Sequence, residues 1–484
     1  MGVLYSFFPS SPGNGQIDIR LSPWVYFPYI LRKGRQLAMT TIAALATPPG
    51  EGGIAIIRMS GSMSEAILAK IFRPLSGHLP LEDHRLTLGM LMRENTCVDE
   101  CMAVVMRAPR SYTRETVVEL QVHGGIYLAR TVLALCLENG ASLAAPGEFT
   151  RRAFLNGRLD LSQAESVMAL IAARGEQARQ AALRDLEGGA SAFIQDLSSR
   201  LYDLQAGLAA ALDYPEEISD EEALADLKPR MLSLAEDLDS ACHEREARLI
   251  REGLYAALVG KPNVGKSSLL NALIGEEKAI VTSIPGTTRD LVEADLHLEG
   301  TVIHLTDTAG QRDTPDIVEQ MGVERARRSM ERADVILLVL DGSGDLTGDD
   351  RVLLQEIRDR DCLILLSKSD LPEHLTESAL HELVPGIPVL RVSVRMPDTL
   401  KSLKEALLER ARVTDTLTLS QPRHMDAARR AARHLRQAAE AMEISVDLAS
   451  LETDAAQSAL AEITGDSVEE KLLDRVFSTF CVGK

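Results

Sequence analysis

The sequence has few of the features that mark secreted, disulfide-stabilised or membrane-spanning proteins. Its 484 residues contain only six cysteines, one tryptophan and 4% aromatic residues. Six cysteines scattered through so long a chain do not make a disulfide framework. The chain also lacks an apolar run of the roughly 18 residues that a transmembrane helix needs. We therefore expect a cytoplasmic protein with reduced thiols and no membrane partner.

Basic residues are also fewer than acidic residues. The 52 Lys and Arg residues stand against 71 Asp and Glu, which gives a net charge of −19. This balance argues against a general electrostatic attraction for nucleic acid, although a local basic patch is compatible with it. Cys97 and Cys101 are close in sequence, but no second Cys/His pair follows at ligand spacing. The cysteine pattern therefore argues against a structural zinc site.

What the chain does have is enough length for two to four domains and a helix-rich composition with abundant alanine and leucine. Residues 1–38 differ from the rest, because they contain the only tryptophan, Trp24, and four prolines that interrupt any helix. These prolines also break the apolar stretch that a signal peptide needs. We interpret residues 1–38 as an upstream extension from a misplaced start codon, with Met39 as the first residue of the protein.

Hydrophobic periodicity divides the remaining chain into four stretches. From Thr41 to about Asn156, short β-rich segments alternate with helical segments, which indicates an α/β domain. Residues 159–251 and the stretch after about Ser402 have helical periodicity. A second α/β stretch lies between them. This order predicts one helical domain with an inserted α/β domain, and the alternative is two separate helical modules.

A phosphate-binding motif begins the central α/β stretch. A predicted strand at 254–259 leads into GKPNVGKS at 260–267, and an apolar helix follows. This context is that of a P-loop, whose glycines let backbone N–H groups surround phosphates at a helix N-terminus. We expect Lys266 to reach the β- and γ-phosphates and Ser267 to bind Mg²⁺. The predicted contacts from this loop are Asn263, Val264, Gly265, Lys266, Ser267 and Ser268.

Two later strands carry the other parts of the predicted nucleotide site. The strand at 302–306 ends in DTAG, which we expect beside the metal and the γ-phosphate. Its residues are Asp307, Thr308, Ala309 and Gly310. Between the P-loop and this motif, GTTRD at 286–290 forms a loop able to supply a threonine to Mg²⁺.

The segment expected to read the base follows the strand at 363–366. Asp370 would accept hydrogen bonds from guanine, next to Lys368, and so select GTP over ATP. The usual motif is Asn-Lys-x-Asp, but Ser367 stands in the Asn position. We therefore expect a preference for guanine with weakened affinity. A second base-contacting loop consists of Ser393, Val394 and Arg395, with Val394 where Ala is usual.

Four sequence blocks resemble the MnmE (TrmE) family of tRNA modification GTPases, from Thr41 to Lys484. They are ATPPGEGG at 46–53 with Arg58, ELQVHGG at 119–125, GEFTRRAFLN at 147–156 and FCVGK at 480–484. The resemblance implies a multidomain fold with α/β and all-α parts. Its implied domains are an N-terminal α/β domain for folate binding and dimerisation at 39–157, a helical domain in two parts at 158–250 and 403–484, and a Ras-like P-loop GTPase domain inserted at 251–402.

The resemblance also implies a potassium-activated GTPase that forms a homodimer and works with a flavoprotein partner, MnmG (GidA), which alone carries FAD. The pair would use a one-carbon unit of 5-formyltetrahydrofolate, or another reduced folate, to add a carboxymethylaminomethyl-type group to the wobble uridine of certain tRNAs. The implied folate-binding residues are Arg58, Glu119, Arg158 and Lys484. Carboxylates suit the aminopterin edge and guanidinium groups suit the glutamate tail. From the residues alone, without the resemblance, the favoured interpretation of Arg58 and Glu119 is surface charges at strand ends.

For hydrolysis, the resemblance implies a potassium ion in place of an arginine finger, bound by Asn263, Thr282, Ile284 and Thr287. Thr288 would join Ser267 on Mg²⁺ and, with Lys266, counts among the predicted catalytic residues. Glu319 would position the attacking water. Gln311 is a rival, because Ras-like GTPases keep their water-orienting glutamine directly after the DTAG-type motif. The remaining predicted nucleotide contacts are Thr282, Ser283, Ile284, Pro285, Gly286, Thr287 and Thr288.

Two other functions stay open at this level: an RNA-binding GTPase switch in ribosome assembly, and a nucleotide-dependent scaffold with slow hydrolysis. The N- and C-terminal blocks favour tRNA modification. Cys481 is either a nucleophile or a packed thiol. A row of arginines after residue 420 could face tRNA phosphates, although a solvated helix face is the favoured interpretation. These arginines are Arg423, Arg429, Arg430, Arg433 and Arg436.

Overall fold

The computed structural model describes residues 40–214, 216, 220–275, 292–307, 329–413 and 419–483. The described residues form two units. One contains residues 40–159 together with 469–483, and the other contains residues 160–468. The predicted extension at 1–38 lies outside the described residues. Within the described ranges, no helix is both long and apolar enough to cross a lipid bilayer.

The first unit is built on a seven-stranded sheet of order β3-β4-β5-β6-β2-β1-β7. Its strands are β1 (Ile42–Leu45), β2 (Ile54–Ser60), β3 (Phe72–Pro74), β4 (Thr87–Arg93), β5 (Thr96–Met106), β6 (Val117–His123) and β7 (Ser142–Leu143). All pairings are antiparallel except β1 with β7. Alternate residues of β2 and β6 are buried, as expected when one face of a sheet covers a core. Three helices accompany the sheet: α1 (Ser64–Ile71), α2 (Ile126–Glu138) and α3 (Glu148–Leu155).

The last described helix, α15 (Glu470–Ser478), also belongs to this first unit. The sequence predicts that residues 403–484 belong to the helical domain. The structure differs because the apolar face of α15, formed by Leu473, Val476 and Phe477, is buried in the first unit. Arg151 of α3 also pairs with Asp474, at 3.0 Å. Apart from the boundary at residue 402, the other predicted domain boundaries stay predictions.

The second unit contains a helical core drawn from both sides of the central α/β stretch. Its helices are α4 (Leu161–Ala172), α5 (Glu176–Leu186), α6 (Gly189–Asp213), α7 (Asp220–Ser240), α8 (Glu244–Glu252), α13 (Pro422–Ala441) and α14 (Val446–Thr464). Leu201, Leu204 and Leu208 of α6 share one buried cluster with Met425 and Leu435 of α13. One core therefore joins the two helical stretches, which favours a single interrupted domain over two modules.

The inserted part is a six-stranded sheet of order β13-β12-β11-β8-β10-β9. Its strands are β8 (Leu254–Val259), β9 (Val292–Leu298), β10 (Thr301–Asp307), β11 (Val335–Asp341), β12 (Cys362–Ser367) and β13 (Val389–Arg391). Only β9 pairs antiparallel, with β10. The described helices here are α9 (Lys266–Gly275), α10 (Gly348–Glu356), α11 (Glu377–Leu383) and α12 (Pro397–Arg410). The predicted class, α/β and all-α with an inserted Ras-like domain, is confirmed.

The helix after β13 lies on the sheet of the inserted domain. Leu400, Leu403 and Leu407 of α12 are buried in the same cluster as strands β8 and β10. The sequence prediction ended this domain at residue 402. The apolar stripe of α12 instead continues the packing of the inserted sheet to residue 411.

Candidate nucleotide and folate sites

The phosphate-binding loop lies at the carboxyl end of β8, the edge of an open α/β sheet where ligands generally bind. Gly260 has a φ of +151°, and a Cβ there would lie 2.4 Å from the Val339 carbonyl oxygen. Only glycine fits this close approach between the loop and β11. Asn263 and Gly265 also have positive φ, at 64° and 104°. The chain therefore turns sharply before α9 begins at Lys266.

Lys266 is buried inside this loop. Its Nζ donates to the carbonyl oxygens of Gly260, at 2.7 Å, and Lys261, at 2.8 Å. Burial lowers the pKa of Lys266, and the charge of Asp307 opposes that change. The ammonium group is thus held at a helix N-terminus among backbone groups, a favourable place for an anionic phosphate.

Ser267 and Asp307 meet beside the loop, as the sequence predicts for a metal site. The Ser267 hydroxyl donates to Oδ2 of Asp307 at 2.7 Å, and Asp307 is buried. A hydroxyl and a carboxylate are hard oxygen donors of the kind that Mg²⁺ prefers. The pair therefore fits a magnesium ion carried with the nucleotide phosphates.

The base-reading residues converge at the ends of β12 and β13. Asp370 accepts a hydrogen bond from the Ser393 hydroxyl at 2.6 Å, and Arg395 Nη1 lies 3.4 Å from its other oxygen. The hydrogen bond from Ser393 lowers the pKa of Asp370, so its carboxylate stays an acceptor. Val394 is half exposed in the same loop. The two loops predicted to contact guanine are therefore adjacent.

Lys368 and Lys261 have contacts that sequence reasoning missed. Lys368 has a φ of 58°, and its Nζ pairs with Oδ2 of Asp341 at 2.6 Å. Lys261 Nζ reaches Thr347 and Asp350 at the start of α10, each at 2.7 Å. Both lysines therefore bind the segment that links β11 to α10. Asp341 is 27 positions from Lys368 and Thr347 is 86 positions from Lys261, so local motifs carry no signal for these contacts.

Several predicted site residues lie outside the described residues. They are Thr282, Ser283, Ile284, Pro285, Gly286, Thr287, Thr288, Thr308, Ala309, Gly310, Gln311, Glu319 and Lys484. The assignments made for them, including the choice between Glu319 and Gln311, stay predictions.

The predicted folate residues of the first unit lie together. Arg58 of β2 and Glu119 of β6 face each other in the sheet register. Arg58 Nε donates to Glu119 Oε1 at 2.7 Å, and both side chains are largely buried. Arg58 Nη1 also donates to the carbonyl oxygen of Gly483 at 3.1 Å. The residue next to the predicted Lys484 is thus part of the cluster.

Two aromatic rings complete this cluster and were not predicted. The Arg58 guanidinium carbon lies 6.0 Å from the Tyr112 ring centroid and 5.8 Å from that of Phe149. Arg158 lies 4.7 Å from the Tyr112 centroid and donates from Nη1 to the Tyr112 carbonyl oxygen at 2.9 Å. The arrangement combines a carboxylate, two guanidinium groups and flat apolar rings, which fits the mixed polar and aromatic character of a folate.

The row of arginines on α13 is largely engaged by acidic side chains of the same unit. Arg423 binds Glu165 through Nε and Nη2, at 2.8 and 2.7 Å. Arg430 binds Glu462 through Nη2 at 2.6 Å. Arg429 and Arg436 pair with Glu244 and Asp239. These pairs favour a helix face satisfied within the protein over a surface kept for tRNA phosphates.

The inserted sheet, its P-loop and the guanine-type base loop define a P-loop GTPase. Comparison with known proteins gives the family. The sequence matches the GTP-binding protein TrmE N-terminus over residues 41–158 and the MnmE helical domain over residues 161–481. The tRNA modification GTPase MnmE of Heliobacterium modesticaldum is 43% identical over 466 residues, and the alignment covers 92% of this chain and 99% of that protein. The Moorella thermoacetica protein of the same name is 44% identical, with the same coverage. The chain belongs to the MnmE family.

Proposed function

We propose that this chain is a potassium-activated GTPase that installs a carboxymethylaminomethyl-type group at the wobble uridine of certain tRNAs. It works in the cytoplasm as a homodimer, together with an MnmG (GidA) flavoprotein that carries FAD, and takes a one-carbon unit from a reduced folate. Family membership supports GTP hydrolysis in tRNA modification. The observation that carries the finer proposal is the cluster of Arg58, Glu119 and Arg158 around Tyr112.

In the folate half of the proposal, Glu119 accepts hydrogen bonds from the 2-amino edge of the pterin. Arg58 orients the Glu119 carboxylate through its hydrogen bond at 2.7 Å. Arg158, exposed beside Tyr112, is suited to the carboxylates of the glutamate tail. Lys484 adds a second cation near Gly483. When bound, the folate supplies the one-carbon unit.

In the GTP half of the proposal, Lys266 binds the β- and γ-phosphates and Asp370 selects guanine. Ser267 and Asp307 would hold Mg²⁺ beside the phosphates. Glu319 orients the attacking water, with Gln311 as its rival. When bound, Mg²⁺ and K⁺ add positive charge where negative charge develops between the β- and γ-phosphates. The proposed potassium ligands are Asn263, Thr282, Ile284 and Thr287, and Thr288 joins Ser267 on Mg²⁺.

Wobble-nucleoside analysis tests the tRNA function. Cells that lack the gene should lose the modified wobble uridine and regain it with the wild-type gene. Unchanged wobble nucleosides would refute the proposal and favour a role in ribosome assembly.

Calorimetry with 5-formyltetrahydrofolate tests the folate site on the full chain. Glu119→Ala should weaken binding about tenfold or more, because a charge-assisted hydrogen bond contributes about 1.5–3 kcal/mol. Glu65→Ala is a matched control in the same unit, because Glu65 binds Arg107 at 2.7 Å outside the Tyr112 cluster. An equal effect of both substitutions would remove Glu119 from the site.

Steady-state GTP hydrolysis in KCl and in NaCl tests the proposed chemistry. Turnover should be fast in potassium and slow in sodium, because Na⁺ is too small to contact all the proposed ligands at once. Glu319→Ala should lower kcat about 10²-fold or more with little change in nucleotide affinity, whereas Gln311→Ala should do comparatively little. The opposite ranking of the two variants would support a Ras-like mechanism, and equal rates in the two salts would remove the potassium site.

A further inference from the structure

Ser367 is the residue at which this chain departs from the usual guanine-reading motif, and its hydroxyl is turned away from solvent. It is the last residue of β12 and is 7% exposed. Its Oγ donates to the Val264 carbonyl oxygen at 2.7 Å and lies 3.0 Å from the Leu340 carbonyl oxygen. Ser367 therefore joins the ends of two strands to the phosphate-binding loop.

Val264 is the point of the phosphate-binding loop where such support matters. It lies between Asn263 and Gly265, both of which have positive φ. In a loop of this kind the backbone N–H groups turn inward to the phosphates. Buried carbonyl groups that face the protein must then find donors there. The Ser367 hydroxyl is such a donor for the Val264 carbonyl.

The backbone of Ser367 strengthens the same connection. The Gly342 N–H donates to the Ser367 carbonyl oxygen at 3.0 Å. β12 also pairs in parallel with β11 up to Asp341 and Ser367. The Ser367 hydroxyl thus extends from a position that the sheet already fixes. A fixed donor can hold a loop in one conformation before any ligand arrives.

We propose that Ser367 is a positioning residue, which holds the phosphate-binding loop ready for the nucleotide and does not read the base. The proposal rests on the GTP site described above. A hydroxyl has a single hydrogen to donate, and here two main-chain carbonyl groups share it. Base recognition is left to Asp370, which Ser393 supports independently.

This role predicts that loss of the hydroxyl weakens nucleotide binding without changing which base is preferred. Without its donor, the loop samples other conformations, and a nucleotide must order it on binding. That cost is the same for every base attached to the same phosphates. Ser393 differs, because its hydroxyl supports the carboxylate that contacts the base.

The test measures the dissociation constants of GDP and IDP for the full chain; IDP lacks the 2-amino group of guanine. Ser367→Ala should weaken both nucleotides about tenfold and leave their ratio unchanged. Ser367→Thr, which keeps the hydroxyl, should restore affinity to within about twofold. Ser393→Ala is the matched control, and it should lower the preference for GDP over IDP.

The possible results separate the proposals. A changed ratio of the GDP and IDP dissociation constants in Ser367→Ala would show that Ser367 contacts the base. Unchanged dissociation constants would show that it does not support the phosphate-binding loop. Either result overturns the positioning role. If Ser367→Ala does not fold, Ser367→Thr is compared with Ser367→Val, because valine has the shape of threonine without its hydroxyl. Equal affinities of these two variants for GDP would refute the positioning role. A wild-type chain that binds neither GDP nor GTP would instead refute the proposed GTPase function, and the positioning role with it.

Discussion

At the scale of single residues, the largely buried Glu165 of α4 interacts with two basic side chains. Its carboxylate accepts from Arg423 and lies 2.8 Å from His424 Nε2. Burial raises the pKa of Glu165, but the hydrogen bonds from His424 and Arg423 outweigh burial and lower it to about 2, from 4.5. The ionised form is therefore favoured by folding. Because the pKa is lower in the folded chain, this contribution to stability is present above about pH 4.5 and is lost as the pH falls towards 2.

Glu165→Ala should lower the free energy of unfolding at pH 7 by about 3 kcal/mol, since it leaves Arg423 and His424 without their carboxylate. The acid dependence between pH 4.5 and 2 should flatten in the same variant. Urea unfolding at several pH values measures both effects.

Glu176 provides a matched control. Hydrogen bonds from Arg179 and then Gln180 also lower its pKa to about 2, but its side chain is exposed. Water screens such a pair, so Glu176→Ala should change stability much less than Glu165→Ala. Equal losses of unfolding free energy in the two variants would show that burial does not strengthen the Glu165 ion pair.

The difference between local motifs and tertiary contacts explains which site residues the sequence could predict. Lys266, Ser267 and Asp370 belong to short motifs, and each lies close to the strand that its motif follows, although their roles stay predictions. Tyr112 and the Gly483 carbonyl oxygen could not be predicted, because they join the Arg58 cluster through tertiary packing alone. A motif predicts the chemistry of its own residues and carries no information on distant neighbours.

Among the elements, the start of α3 is fitted to α15. Gly147, which precedes α3, has a φ of +65°, and a Cβ there would lie 2.6 Å from the Phe477 carbonyl oxygen. Gly147→Ala should therefore loosen α15, at a cost of about 1–3 kcal/mol. Amide hydrogen exchange should become faster across residues 470–483, and denaturant unfolding measures the energy.

Gly77→Ala controls for backbone strain alone. Gly77 has a φ of +81°, and a Cβ there would meet nothing within 4 Å. It should leave exchange in α15 unchanged. Accelerated exchange in this variant would mean that the contact at Phe477 is not the cause.

Element types were more predictable than the domain to which each element belongs. The periodicity after residue 402 correctly predicts helices. Pro397 lies in the first turn of α12, where proline is common. Periodicity identifies an apolar face but not its partner. For that reason the sequence prediction assigns the second part of α12, from residue 403, and all of α15 to the helical domain, although their apolar faces pack elsewhere.

At the scale of the whole molecule, the inserted domain leaves and re-enters the helical core at neighbouring points. Arg251, at the end of α8, donates from Nη1 to the Ser420 carbonyl oxygen at 2.5 Å. The Ser420 hydroxyl binds Asp185 of α5 at 2.7 Å. The buried residues of the helical cluster all precede residue 251 or follow residue 418. Among the described residues, the insertion therefore adds no buried side chain to the helical core, and only the partly buried Val413 packs against it.

Replacing residues 252–418 by a short Gly/Ser linker should leave the helical domain folded, because the two ends to be joined are already adjacent, as the Arg251–Ser420 hydrogen bond shows. We expect retained helical circular dichroism, cooperative urea unfolding and no GDP binding. Non-cooperative unfolding of the shortened chain would mean that the inserted domain is needed to stabilise the helical core.

The bond between Arg58 and Gly483 has a consequence for biosynthesis. The two residues are 425 positions apart. The ribosome therefore makes almost the whole protein after Arg58 has emerged and before its partner exists. During that interval Arg58 lacks the Gly483 carbonyl oxygen as a hydrogen-bond acceptor. A chain that ends before Gly483, through proteolysis or premature termination, never gains it. Only a chain synthesised through Gly483 can form the Arg58–Gly483 hydrogen bond, so this part of the first unit is completed at the end of synthesis.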